Sequence, residues 1–367
     1  MMTRPSKPQP PIDGTALILC EGAFTTTCGK TAHGLVRHTH RYRILGVLDS
    51  RFAGRDAGEV LDGKPCGIPI YRDFEDSLAQ LGGCPDYLII GLAPDGGRLP
   101  EPYRKVVAEA LRRGINVDSG LHDFLGDDPQ LAALARAHSA TIRDVRKPPP
   151  RDRLHFFTGA IERVGAHRIA VLGTDSALGK RTTATILNAA LSKAGVASTV
   201  IGTGQTSWFQ GVRHGIVLDS LVNDFVSGEI EHAICEAQAD LHPEVMLLEG
   251  QGGLTHPAYP GGFELIAAGR PDGLILQHAP LRKFYDGIEG YPLGGLEREV
   301  QLLRLLSSAP LVAITINHEG MQREQLEPIV RDYEAAYGCV ACDVLWQGAE
   351  RLVDAVRKTF PDLGGKR

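Results

Sequence analysis

Lys180 follows Gly179 where a β-branched, apolar run gives way to a helical pattern. Residues 167–195 read HRIAVLGTDSALGKRTTATILNAALSKAG. Residues 169–172 have strand character and end at Gly173. A short loop of Thr174, Asp175, Ser176, Ala177 and Leu178 follows, and then Ile186, Leu187, Ala190 and Leu191 fall at helical spacing up to Gly195. Strand, glycine-bounded loop, Gly-Lys and helix form the context of a phosphate-binding loop. Backbone N–H groups of the loop and the open helix N-terminus face one anion, and the helix dipole adds favourable potential. Lys180 would reach the terminal phosphates as a point charge. The cofactor-binding set is therefore Gly173, Thr174, Asp175, Ser176, Ala177, Gly179, Lys180, Arg181, Thr182 and Thr183. The alternative is a Gly-Lys at an ordinary turn. Two features depart from the usual GxxxxGK[ST] pattern. Arg181 replaces the hydroxyl that ligates Mg²⁺, and the interval from Gly173 to Gly179 is one residue too long. Phosphate binding is expected and no metal ligand is assigned. Thr182 would take the Mg²⁺ position only if the helix starts one residue late.

Glu249 is the second centre of interest. In VMLLEGQGGLTHPAYPGG, residues 245–248 read as a buried parallel strand. Glu249 falls at its C-terminal end, where doubly wound sheets place ligand-contacting groups. Gly250, Gly252 and Gly253 permit a tight turn and close approach. A carboxylate there suits Mg²⁺ or water ligation, or general-base work, and otherwise caps the next turn. Residues 202–231, GTGQTSWFQGVRHGIVLDSLVNDFVSGEIE, supply a candidate substrate set of Gln205, Arg213, Asp219, Asn223 and Asp224. An arginine beside amide and hydroxyl groups suits a small carboxylate, and the acidic residues suit an ammonium. A solvated insertion is the competing reading. Gln277 with His278, and Asn317 with His318, end two further strand-like runs and are plausible at the same sheet edge.

The elements that must position these groups alternate strand and helix from end to end, which signals α/β architecture with largely parallel sheets. In the first block, strands are expected at 16–20, 44–48, 68–71, 87–92 and 115–117, with helices at 30–38, 74–81, 102–113 and 128–138. In the second, strands are expected at 168–172, 198–201, 245–248, 273–277 and 311–316. Pro148, Pro149 and Pro150 cannot continue a helix or a central strand, and they mark the domain boundary. This gives a disordered tail at 1–13 and domains at 14–147 and 148–367, in line with a prior of about 150 residues per domain.

Composition narrows the function classes. A net charge of −5 argues against a general nucleic-acid binder. No apolar run approaches the roughly 18 residues of a membrane span, and the polar, proline-rich start lacks the apolar region of a secretory signal. The seven scattered cysteines suggest reduced thiols and a cytoplasmic location. Cys339 and Cys342 form a lone CxxC in a late apolar strand and read as buried structural thiols. In the first block, Gly29-Lys30-Thr31 mimics a phosphate loop, but the preceding spacing fails and Phe24 stands where a small residue is needed. Asp49 ends the second strand as a ribose-binding acid does, yet the G-x-G-x-x-G turn is absent, which argues against NAD.

Three resemblances follow. The order of GIPIYRDFEDSL, DYLIIGLAP and VVAEALRRGINVDSGLHDFL resembles the CoA-binding Rossmann domain of succinyl-CoA synthetase α subunits. GTDSALGK with LLEGQGGL resembles dethiobiotin synthetase and its amidotransferase relatives, which implies phosphate binding by Lys180 and Mg²⁺ ligation at Glu249. A broader resemblance runs through KTAHGL, VLDSRFAGRDAGE, GLAPDGGRLP, SGLHDFL, DVRKPP, GTDSALGKRTT, GQTSWFQG, LDSLVNDFVSGEIE and EGQGGLTHPAYPGG, in that order. These resemble a two-domain family long catalogued as a domain of unknown function, with members assigned as D-glutamate N-acetyltransferases. The resemblance implies an α/β fold with a Rossmann-like amino-terminal domain and a P-loop NTPase-fold carboxyl-terminal domain. It also implies acetyl-CoA as cofactor, a D-amino acid as substrate and functional pairing with an N-acetyl-D-glutamate deacetylase. A homo-oligomer is expected, with neither nucleic acid nor membrane as partner. Arg181 then makes sense, because CoA phosphates need cations but no hydrolysis. Glu249 or His256 would be the base, with amides near Gly252 and Gly253 as oxyanion donors. The alternatives are an ATP- and Mg²⁺-dependent ligase or kinase acting on a small carboxylate, and a non-catalytic nucleotide or CoA sensor.

Overall fold

The structure, a computed structural model, describes residues 13–364. The expected disordered tail therefore lies, but for Asp13, outside the described residues. The chain divides into two compact units, one of residues 1–149 with Gln205–Val212, the other of residues 150–204 with 213–367.

The first unit alternates strand and helix: β1 (Gly14–Leu19), α1 (Lys30–Arg37), β2 (Tyr42–Leu48), α2 (Ala57–Asp62), β3 (Ile70–Tyr71), α3 (Phe74–Leu81), β4 (Tyr87–Ile90), α4 (Glu101–Arg112), β5 (Asn116–Ser119), α5 (Pro129–Ala137) and β6 (Ile142–Asp144). The strands form one sheet in the order β3-β2-β1-β4-β5-β6, with every pair parallel. Asp56, Asp73 and Asp128 start α2, α3 and α5 by accepting hydrogen bonds from first-turn N–H groups. The apolar residues of β1 and β4 are buried on both faces, as a parallel sheet covered by helices requires.

The second unit contains β7 (His167–Gly173) and α6 (Lys180–Lys193), then β8 (Ser198–Gly202). The chain next contributes α7 (Gln205–Phe209) to the first unit before resuming at β9 (His214–Gly215) and α8 (Asn223–Leu241). It continues with β10 (Val245–Glu249), α9 (Gly262–Gly269), β11 (Gly273–His278), α10 (Leu296–Leu306), β12 (Leu311–Ile316), α11 (Leu326–Tyr337), β13 (Val340–Cys342), α12 (Val344–Gln347) and α13 (Glu350–Thr359). The order is β13-β12-β11-β7-β10-β8-β9, again all parallel. Parallel pairing puts every strand's C-terminal end on one edge, so the residues after β7, β8, β10, β11, β12 and β13 share that edge.

The segment Gln205–Val212 is built into the first unit. Phe209 is fully buried in that unit's core. Arg41 Nε donates to the Trp208 carbonyl at 2.8 Å, with its guanidinium 4.0 Å from the indole centroid. Gln210 Nε2 donates to the Gly34 and His38 carbonyls, and the Gln210 carbonyl accepts from His40 N–H. A buried Asp118 carboxylate accepts from Tyr42 Oη and from two nitrogens of Arg143, each at 2.6 Å, and Arg143 also lies 5.1 Å from the Trp208 ring.

Candidate functional site

The carboxyl edge of the second sheet carries the phosphate loop. β7 ends at Gly173, and α6 starts at Lys180 behind Gly179, whose φ of +92° suits glycine. No side chain caps α6 at Gly179, and the N-terminus of a helix is the end that attracts an anion. The helix has fourteen residues, enough for a substantial dipole. Lys180 is buried and donates from Nζ to the Asp175 carbonyl at 2.6 Å. Burial pushes its ammonium down to about 8. The carboxylates of Asp175, Glu249 and Asp286 oppose this shift, and the Arg282 charge adds to it.

The remaining loop residues have distinct tasks. Thr174 is buried, with its N–H on the Gln277 carbonyl at 3.0 Å and its hydroxyl 2.9 Å from His278 Nδ1. The Asp175 carboxylate is wholly buried and accepts from Ser176 N–H, Arg282 Nη1 and Asp286 N–H at 2.7, 2.9 and 3.0 Å. Ser176 donates its hydroxyl to Asp286 Oδ2. Ala177 is exposed at positive φ, and Leu178 accepts at its carbonyl from Asn317 Nδ2 at 2.9 Å. Arg181 and Thr182 are half-buried in the first turn of α6. Thr183 is buried and donates to Gln277 Oε1 at 2.6 Å, an oxygen that also accepts from Thr315 Oγ1 at 2.7 Å. Its hydroxyl is thus committed within the sheet.

Glu249 ends β10 and is buried. Its Oε2 accepts from Thr203 N–H at 3.1 Å, and Thr203 Oγ1 returns a bond to the Glu249 carbonyl at 2.9 Å. The turn behind it packs on the phosphate loop. A Cβ at Gly250 would stand 2.3 Å from the Val171 carbonyl oxygen and 3.0 Å from Lys180 Cδ, so only glycine allows this approach. Gly253 N–H is used inside the turn, on the Tyr259 carbonyl, which leaves the oxyanion reading to Gly252.

His256 is buried, and its Nδ1 accepts from the N–H groups of Ala258 and Tyr259 at 3.1 and 3.0 Å. Two donors on Nδ1 require the neutral ring to carry its proton on Nε2. That nitrogen lies 3.3 Å from Asp175 Oδ1, off hydrogen-bond alignment. Burial lowers the His256 pKa below its ordinary value. The Nε2–H therefore faces Asp175 without a hydrogen bond, and the ring, whose Nδ1 already accepts twice, is poorly placed to accept a proton. His278 is pushed down to about 4 by burial.

The expected substrate set divides between the two units. Gln205 belongs to the first unit, where it packs over Gly120. Arg213 is exposed and pairs with Asp240 at 3.0 Å. Asp219 lies exposed in a 3-10 turn, while Asn223 and Asp224 open α8 and are exposed. The residues not read from sequence are Thr203, which pins Glu249, and Arg282 with Asp286, which hold Asp175. Arg282 and Asp286 lie in an aperiodic segment without a motif, and Thr203 stands between Gly202 and Gly204 with no pattern of its own.

In the first unit, Asp49 is fully buried and its carboxylate accepts from Phe24 N–H at 3.2 Å and from Arg51 Nε and Nη2 at 3.0 and 2.7 Å. The acid at the ribose position is thus occupied by its own loops. Thr31 is buried with its hydroxyl 3.4 Å from that of Thr206. Cys339 and Cys342 are free, and burial pushes their thiols up to about 11 and about 12. Among the described residues, no group of three or more His, Cys, Asp or Glu could hold a metal ion, and no helix is long and apolar enough to cross a membrane.

Comparison with known proteins agrees with this architecture. A family model described as the DUF1611_C P-loop domain, a domain of unknown function, matches residues 155–353, and the DUF1611_N Rossmann-like domain matches residues 50–148. A D-glutamate N-acetyltransferase from Tritonibacter scottomollicae is 36% identical over 275 residues, covering 73% of this chain and 80% of that protein. One from Pseudoalteromonas sp. is 28% identical over 271 residues, covering 72% and 79%. The crystal structure of a DUF1611 family protein from Anabaena variabilis matches with a TM-score of 0.86 at 30% identity, over 94% of this chain and 99% of that one. With its Rossmann-like sheet followed by a phosphate-loop sheet, the chain belongs to the DUF1611 family.

Proposed function

We propose that this protein is an N-acetyltransferase that moves the acetyl group of acetyl-CoA to the amine of a D-amino acid, with D-glutamate as the preferred acceptor. The observation that carries the reading is the 36% identity over 275 residues to a D-glutamate N-acetyltransferase. The chemistry of the loop supports it. The open N-terminus of α6, Lys180 and Arg181 suit the diphosphate of CoA, and the position that usually offers a hydroxyl to Mg²⁺ carries a guanidinium instead.

In this mechanism Glu249 takes a proton from the substrate ammonium, and the freed amine attacks the thioester carbonyl carbon. Gly252 N–H stabilises the developing oxyanion. The carbon–sulfur bond then breaks, and the CoA thiolate takes up the second proton lost by the nitrogen. Thr203, bonded to both ends of Glu249, fixes the carboxylate. His256 serves the loop through Asp175. The N-acetylated product is the substrate class of a deacetylase, consistent with a role in D-amino-acid catabolism.

The test is to incubate the protein with acetyl-CoA and a panel of D- and L-amino acids and to identify products by mass spectrometry. N-acetyl-D-glutamate as the dominant product supports the reading. ADP formation from ATP with no acetylated product would assign the ligase or kinase chemistry instead.

A further inference from the structure

Arg282 lies in the segment between β11 and α10. Its side chain is only 10% exposed, and the carboxylate it meets on Asp175 is wholly buried. Nη1 donates to Asp175 Oδ2 at 2.9 Å and to the Ser176 carbonyl at 2.8 Å, while Nη2 donates to Glu319. Four residues on, Asp286 adds its N–H to Asp175 Oδ2 and accepts the Ser176 hydroxyl. Two consecutive residues of the phosphate loop are thus held from one neighbouring segment, through one guanidinium and one turn. A buried carboxylate deprived of its cation is strongly destabilising. The two terminal nitrogens of the guanidinium divide these acceptors, Nη1 serving the Asp175 carboxylate and the Ser176 carbonyl and Nη2 the Glu319 carboxylate.

We propose that Arg282 is a positioning residue: it sets the Asp175–Ser176 stretch so that the loop amides converge on a phosphate-bearing ligand. The inference rests on the phosphate-loop part of the functional reading and not on the identity of the acetyl donor. It has a second consequence for charge. The Lys180 ammonium is pushed down to about 8 by burial and is faced by Asp175, Glu249, Asp286 and Arg282, of which Arg282 alone is a repelling cation. Removing that cation raises the pH at which Lys180 loses its proton.

The experiment titrates the full-length protein with pyrophosphate, and separately with acetyl-CoA, from about pH 6.5 to about pH 9.5. The variants are Arg282→Met and Arg282→Lys, with folding checked by circular dichroism. Wild-type affinity for pyrophosphate should fall as pH rises through about 8. Arg282→Met should bind at least about tenfold more weakly below that pH, with the fall displaced to higher pH. Arg282→Lys should leave the fall where it is, because the charge remains, but bind with intermediate affinity because a single nitrogen replaces the two that divide the acceptors. A role limited to general stability would weaken binding without moving the fall. A folded Arg282→Met with wild-type affinity or an unmoved fall would overturn the proposal. Should that variant not fold, Arg282→Lys binding as tightly as wild type would overturn it. Wild-type protein that binds pyrophosphate but not acetyl-CoA refutes the donor while leaving the clamp supported. Binding of neither refutes both.

Discussion

Lys180 Nζ donates to the main-chain carbonyl of Asp175, five residues before it, at 2.6 Å. A buried ammonium is thereby parked on its own loop, ready to exchange one carbonyl for a phosphate oxygen. Such a charge costs stability. Its folded pKa lies near 8 against an ordinary 10.5, so the native state binds the proton more weakly than the unfolded state. The penalty is full below about pH 8 and fades as pH rises to 10.5.

Lys180→Met should therefore be more stable than wild type at pH 7, by on the order of 1–3 kcal/mol, while losing pyrophosphate affinity. Urea unfolding at pH 7 and at pH 9.5, with about a unit's tolerance in pH, should show the advantage shrinking at the higher value. A variant less stable than wild type at both would contradict the desolvation argument.

Glu249→Gln keeps a carbonyl oxygen for the Thr203 N–H bond but cannot take a proton. Its kcat should fall about 10²- to 10⁴-fold while the acetyl-CoA dissociation constant stays within about threefold of wild type. Steady-state kinetics with equilibrium titration separates the two. Equal losses in binding and turnover would make Glu249 a ligand contact.

His278 gives an acid-limb prediction. Its pKa is about 4 in the folded chain against 6.5 for the free side chain. The unfolded state takes up a proton first, so the stability it contributes is lost as pH falls from about 6.5 towards 4. His278→Asn should lessen the loss of stability between pH 7 and pH 4.5, followed by urea titration at those two values, each set to about a tenth of a unit. An unchanged acid slope would contradict it.

Phe209→Ala removes a fully buried ring from the first unit's core, although the residue lies in sequence between β8 and β9. It should destabilise the first unit by about 3–5 kcal/mol. Pulse proteolysis in urea with mass mapping should show cuts at residues of the first unit at lower denaturant. Earlier cleavage confined to the second unit would contradict this placement.

Much of this organisation was legible in the sequence because its signals are local. Continuous apolar runs marked β7, β10 and β12, and Gly179-Lys180 before a helical pattern marked the phosphate loop. α3 could be bounded from its own pattern, starting after Asp73 and stopping at Gly82. β6 and β9 leave no signal in the sequence, because three and two residues hold no periodicity. The Gln205–Val212 segment falls in the second block by chain position, whereas its buried Phe209 and its bonds to Gly34, His38, His40 and Arg41 place it in the first unit. That choice depends on contacts about 170 residues apart, which no local pattern carries. The same holds for Arg282, whose partners Asp175 and Ser176 lie more than 100 residues away. The sequence leaves Glu249 or His256 as the base, and the two amides on Nδ1 of His256, visible only in the fold, reverse its hydrogen-bonding role.

The most direct test of the account is thiol release on mixing the purified protein with acetyl-CoA and D-glutamate, compared with Lys180→Met and Glu249→Gln. The account predicts steady thiol release by the wild type, matched one for one by N-acetyl-D-glutamate. It predicts none above background for Lys180→Met at an acetyl-CoA concentration that saturates the wild type, and a loss of at least about 10²-fold for Glu249→Gln despite retained acetyl-CoA binding. No thiol release by the wild type with D-glutamate or any other D-amino acid, or undiminished release by both variants, would contradict it.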